Sequence, residues 1–182
     1  MTKYNLTTFW IISTLFLVSG CNDSSQSRVV LNHEFSFTLP FPYEANSELF
    51  EVVHEVNPDV IGFYLLDLKD MPNTPMTVTR FTASEPMTLD DAFFNETVGA
   101  EPDNLDTLTQ GYKLISFNQY NKAGKSLYLK VSSPIEGKCS VMYYFMKDNN
   151  STSLYEVKVV GDMGEKERLM ELAEEIALNV TL

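Results

Sequence analysis

Residues 33–39 alternate strictly, with Phe35, Phe37 and Leu39 on one side, and Pro40 and Pro42 close the run. A period of two predicts a β-strand. Residues 47–56 carry Leu49, Val52, Val53 and Val56 at helical spacing behind Ser47 as a cap. Their β-branched content also suits a strand, but the spacing favours a short helix that stops before Pro58. Residues 60–68 (VIGFYLLDL) are almost continuously apolar and predict a buried strand. Residues 71–75 read as a loop, and 76–83 as a strand rich in Thr and Val. Residues 88–98 predict a helix with Thr88 as cap, Asp91 three positions on, and Leu89, Ala92 and Phe93 as its buried stripe. Gly99 is placed to end it, and an acidic, loop-like stretch follows to residue 111.

Four more strands are predicted. Residues 112–120 and 126–132 are joined by Asn121-Lys-Ala-Gly-Lys125, and residues 138–147 and 154–161 by Asp148-Asn149-Asn150-Ser151. The chain closes with an amphipathic helix over 163–180. Asp162 and Glu165 resemble a capping box, and Leu169, Leu172, Ala173, Ile176 and Val180 share one face. In the strand 138–147, Cys139, Val141, Tyr143 and Phe145 lie on one side, and Met142, Tyr144 and Met146 on the other. A sheet with one wet face would alternate apolar and polar. Two apolar faces predict layers on both sides: an α+β fold in which an antiparallel sheet of about six strands is flanked by helices, an α/β/α sandwich. The alternative is a one-sided sheet that exposes an aromatic patch for binding. Residues 30–182 then form a single domain.

The N-terminus follows another logic. Lys3 precedes an apolar run centred on residues 9–18, which ends in Val18-Ser19-Gly20-Cys21. A charged start, a short apolar core and small residues at the end have the layout of a secretion signal. The run is too short to span a bilayer as a helix. A cysteine placed at the cut point resembles the lipobox of bacterial lipoprotein precursors. That resemblance implies cleavage between Gly20 and Cys21, acylation of Cys21, and removal of residues 1–20. Residues 21–29 would then be the lipidated cysteine and a flexible tether, since NDSSQSR at 22–28 is polar, Ser-rich and aperiodic. Seven residues reach at most about 25 Å. Asn22 rather than Asp after the cysteine implies, by the same resemblance, outer-membrane sorting with the body facing the periplasm.

The net charge is −12, with 25 acidic residues against 13 Lys and Arg. No basic stripe is present to neutralise phosphates, so nucleic acid is not an expected partner. With Cys21 acylated, Cys139 has no intramolecular partner; in an alternating apolar strand it reads as a small buried residue.

Four pieces match a known pattern: EFSFTLP at 34–40, MTLDD at 87–91, NKAGK at 121–125 and LYEVKVV at 154–160. Their order resembles the Mog1/PsbP-like fold, and more narrowly the small bacterial lipoproteins of the DcrB-like group. The resemblance implies an accessory or binding module rather than an enzyme, and it transfers no functional residue.

The residues themselves offer little chemistry. His33 and His54 lack a second ligand at metal-binding spacing. No nucleophile elbow, Walker loop or dinucleotide fingerprint occurs. Asp90, Asp91, Glu96, Glu101, Asp103 and Asp106 form an acidic cluster without EF-hand spacing, which reads as a solvated face. No catalytic residue, metal ligand or cofactor is therefore expected. The function expected is a lipid-anchored envelope module that binds another protein. The alternative is a small-ligand binder whose pocket wall is Met142, Tyr144 and Met146. Replacing Cys21 by Ser should move the protein from the membrane fraction to the soluble fraction of lysed cells; an unchanged distribution on fractionation would remove the anchor.

Overall fold

A computed structural model describes residues 27–30, 36–39, 41–94 and 113–181. In chain order, β1 (Ser27–Val30) pairs antiparallel with β2 (Ser36–Leu39) as a separate two-stranded ladder. Then come β3 (Tyr43–Ala45), α1 (Ser47–Val56), β4 (Val60–Leu68), β5 (Met71–Met87) and α2 (Leu89–Phe93). The chain continues with β6 (Lys113–Lys122), β7 (Lys125–Ser133), β8 (Lys138–Phe145), β9 (Ser151–Asp162), a 3-10 turn (Met163–Glu165) and α3 (Lys166–Leu178). The main sheet has seven strands in the order β3-β4-β5-β9-β8-β7-β6, every neighbour antiparallel.

Both faces of this sheet carry a core. On the first, Cys139, Val141, Tyr143 and Phe145 of β8 meet Leu169, Leu172, Ala173, Ile176 and Ala177 of α3, together with Phe37 and Leu39 of β2. On the second, Met142 and Tyr144 of β8 and Tyr128 of β7 meet Leu89, Ala92 and Phe93 of α2. Phe93 stacks on Tyr128 with ring centroids 4.2 Å apart and meets Tyr144 edge-on at 5.2 Å. The period-two pattern of β8 thus produces the layered arrangement expected from it, and the one-sided sheet with an open aromatic patch is not what forms.

Several expectations are corrected. The main sheet has seven strands rather than about six, because β3 adds a short edge opposite Tyr64–Leu66. The strand expected first, over 33–39, stays outside that sheet: its described part, β2, pairs with β1, while Phe37 and Leu39 still enter the first core. β1 begins at Ser27, inside the stretch assigned to a tether. Residues 71–75 belong to β5 rather than to a loop. Thr74 Oγ1 donates to the Met71 carbonyl at 2.7 Å, Asn73 takes φ 58°, and β9 pairs only from Met76 onward. Pro75 therefore sits where the strand has one partner, which is where a sheet tolerates proline. The Asp162–Glu165 capping box does not form; the Asp162 carboxylate instead takes the Lys138 ammonium at 2.6 Å. Thr88 does cap α2, accepting from the Asp91 N–H at 3.1 Å. Gly20, Cys21, Glu96, Glu101, Asp103, Asp106 and the expected helix beyond Phe94 lie outside the described residues.

Two devices tie the β6–β7 hairpin to α3. Tyr120 donates to Glu174 at 2.8 Å, and Lys122 reaches the other oxygen of that carboxylate at 2.5 Å. Lys125 donates to the carbonyls of Ala177, Leu178 and Val180, groups that the end of a helix leaves without internal donors. The hairpin turns through Ala123 (φ 51°) and Gly124 (φ 77°). Two consecutive positive φ values make this a primed turn, for which Asn-Gly is favoured and alanine is strained. Ala123→Asn should raise unfolding stability in urea by roughly 0.5–1 kcal/mol. Phe93→Ala, which empties the aromatic stack of the second core, should lower it by about 3–5 kcal/mol in the same measurement.

Candidate functional site

The stretch 41–68 builds an exposed apolar surface at one edge of the sheet. Asn46 caps α1, its Oδ1 accepting from the Leu49 N–H at 2.9 Å; the cap is Asn46 rather than Ser47. The helix ends at Asn57, whose N–H reaches the Val53 carbonyl at 2.8 Å, with Pro58 next. Leu49, Val53 and Val56 fall on the helical period, as the sequence indicates, but the stripe is wider than the surface the sheet offers. α1 turns half-buried Phe50, Val53 and His54 towards β4. The Phe50 ring stacks on the His54 ring at 5.3 Å, and His54 donates from Nδ1 to the Val60 carbonyl at 2.9 Å. That bond satisfies a carbonyl on the edge of β4 that β3, paired only with Tyr64–Leu66, does not reach.

No residue of α1 is fully buried. Leu49 is 40% exposed, Val52 60% and Val56 84%. These three recur at i, i+3 and i+7 and so form one ridge over two turns. A notch of about 230 Å³ opens at the N-terminal end of the helix, lined by Ala45, Ser47, Phe50, Ile61, Phe63 and Tyr64. Tyr64 borders it, its ring packed in the first core against Phe37 and Tyr43; burial, then neighbouring Tyr43, pushes its phenol far above the ordinary range, so it is neutral.

A second concavity of about 360 Å³ lies where the β6–β7 and β8–β9 turns meet the C-terminal residues. Lys125, Ser126, Met146, Lys147, Asp148 and Thr181 are among its walls. Of the three residues expected to form a ligand face, Met146 lines this cleft, while Met142 and Tyr144 are packed under α2. The Lys125 ammonium is occupied by the end of α3, and burial lowers its pKa.

The second face also holds a polar row that sequence reasoning missed. Register places Tyr128, Tyr144, Glu156 and Thr79 side by side, and Lys130, Met142, Lys158 and Thr77 in the next row. Thr79 donates to Glu156 at 3.3 Å, and both are buried. Burial, then the Glu156 carboxylate, raises the Tyr144 phenol well above its usual value. Burial lowers the Lys130 ammonium, opposed by Glu156 and reinforced by Lys158. Beyond them Ser140 Oγ is buried without a hydrogen-bond partner. The signal was present in the polar positions of VKV and LKV within otherwise apolar strands, but pairing is needed to show that they adjoin.

Nucleophilic chemistry finds little support in these groups. The Cys139 thiol lies in the first core, 3.6 Å from the Asp162 carbonyl, and burial pushes its pKa up, away from the reactive thiolate. Among the described residues, no three of His, Cys, Asp and Glu converge as a metal-binding set, and no helix is long and apolar enough to cross a membrane. Tyr128 donates to Asp90 at 3.0 Å, with Gln119 on the same oxygen at 2.9 Å, which places Asp90 in a structural role at the helix start.

No protein-family model matches the sequence, and no curated protein matches it. Solved structures do resemble it. The cyanobacterial PsbP of Synechocystis sp. PCC 6803 aligns at TM-score 0.58 and 12% identity, over 91% of this chain and 98% of that one. The Ran-binding protein Mog1p of Saccharomyces cerevisiae aligns at 0.49 and 12%, over 87% and 95%. LpqN of Mycobacterium tuberculosis, described as involved in cell envelope biogenesis, aligns at 0.45 and 14%, over 86% and 84%. At such identities the likeness is one of architecture, and it rests on PsbP: this chain has a mostly-sheet α+β fold of the PsbP-like kind.

Proposed function

We propose that this chain is a non-enzymatic binding or accessory module of the bacterial cell envelope, cut between Gly20 and Cys21 and held by acyl chains on Cys21. The periplasmic side of the outer membrane is its proposed workplace. The observation that carries the binding role is the exposed ridge Leu49, Val52 and Val56 beside an apolar notch. Scattered exposed apolar residues are ordinary, but three in register on one helix face, next to a concave apolar surface, are characteristic of an interface. The short stretch between Cys21 and the start of β1 supports an address near the bilayer. With β1 starting at Ser27, the span back to Cys21 covers at most about 20 Å, so the partner would lie in or close to the membrane. Crosslinking in intact cells, followed by purification of the acylated protein, should return the same partner under different growth conditions; a consistently partner-free monomer would refute the reading.

The 360 Å³ cleft gives a second reading, a small-ligand binder with Met146 in the wall. Its size is at the lower end for such sites. Native mass spectrometry of the purified protein should then show a co-purifying molecule that is lost on filling the cleft with Ser126→Trp. A single mass equal to the bare chain would dismiss it.

A further inference from the structure

We infer that α1 docks as a ridge into an apolar groove rimmed by Lys and Arg on a partner protein. This rests on the binding-module reading above and adds the docking element and the chemistry of its partner. Leu49, Val52 and Val56 supply the apolar contact, spanning about 10 Å along the helix axis. The notch beside Phe50, Ile61 and Phe63 extends that contact past the helix start and accepts a side chain from the other surface.

Charge selects among occupants. The acidic residues Glu48, Glu51 and Glu55 follow one another along the helix side next to the ridge, and all three are exposed. Glu44 and Asp59, also exposed, stand at the two ends of the helix. Between residues 41 and 68 there are six acidic residues and neither Lys nor Arg. None of the salt bridges among the described residues involves these acids. An apolar strip flanked by uncompensated carboxylates is complementary to an apolar groove with a basic rim. A second copy of the chain fits poorly, because a two-fold contact through α1 would set these carboxylates against each other. An anionic lipid surface is repelled for the same reason.

The test places the photoreactive residue p-benzoylphenylalanine at Val56 in the full-length protein in its own cells, with Ile135, an exposed apolar residue on another loop, as the second position. Crosslinked peptides are identified by mass spectrometry. The expected result is a Val56 crosslink to one other protein, in an apolar peptide that carries Lys or Arg. Its yield should fall at least tenfold with Val52→Asp and at least fivefold when Glu48, Glu51 and Glu55 are changed together to Lys. Reversing the partner's basic residues to Glu should restore part of the yield of that charge variant. Thermal unfolding of each variant checks that the fold is kept, as these side chains are exposed. Crosslinks to lipid, to a second copy, or to a peptide without basic residues would overturn the inference, as would a yield indifferent to charge reversal. Crosslinks from Ile135 alone would overturn it while leaving the binding role standing; none from either position would overturn both.

Discussion

The requirement that governs this molecule is that β8 must be dry on both sides. A strand with Cys139, Val141, Tyr143 and Phe145 on one face and Met142 and Tyr144 on the other cannot rest against water on either. Each face therefore needs its own cover, and the chain supplies them in unequal form. α3 spreads a long aliphatic stripe over the first face, and α2, with five residues, concentrates its contact into one phenylalanine wedged between two tyrosines. The rest of the architecture follows from holding these two covers in place. Lys125, Tyr120 and Lys122 fix α3 from the hairpin, and Thr88 and Asp90 fix α2.

Much of this was readable from residue order. Periodicity identified the two-faced strand, the closing helix with its buried positions, and the short helix at 47–56, because those segments express one dominant period each. The edges were less legible. β3 is three residues long and carries no alternation to detect, and the proline-bearing start of β5 has the composition of a loop. The structure makes it a strand by pairing it with β4, Leu65 opposite Pro75 and Leu68 opposite Met71, with the irregularity between them taken up by the left-handed Asn73 and the Thr74–Met71 bond. The expected capping box failed because a lysine on a neighbouring strand competes for Asp162, a contact between residues 24 positions apart.

The candidate surface shows the same limit. The apolar spacing of α1 was evident, and burial would be the ordinary use of such a stripe. What residue order could not say is how much of it the sheet would cover. The answer depends on β3 being too short to shield the start of β4, which leaves α1 to close that edge through Phe50 and His54 and to turn its remaining side outward. The polar row of Thr79, Glu156, Lys130 and Lys158 was hidden for a related reason: it exists only once β5, β7, β8 and β9 are set in register.

The short β1–β2 ladder stands apart from the seven-stranded sheet, and β2 is pinned from behind by the paired Ser36–Thr181 backbone bonds and by Phe37 and Leu39 in the core. A pull applied to the chain ahead of Ser27 therefore meets four residues of ladder before it meets anything else described. Those rungs are separate from the seven-stranded sheet, so losing them breaks none of its pairings. β1 can thus be released without unpicking β4, the strand against which α1 packs.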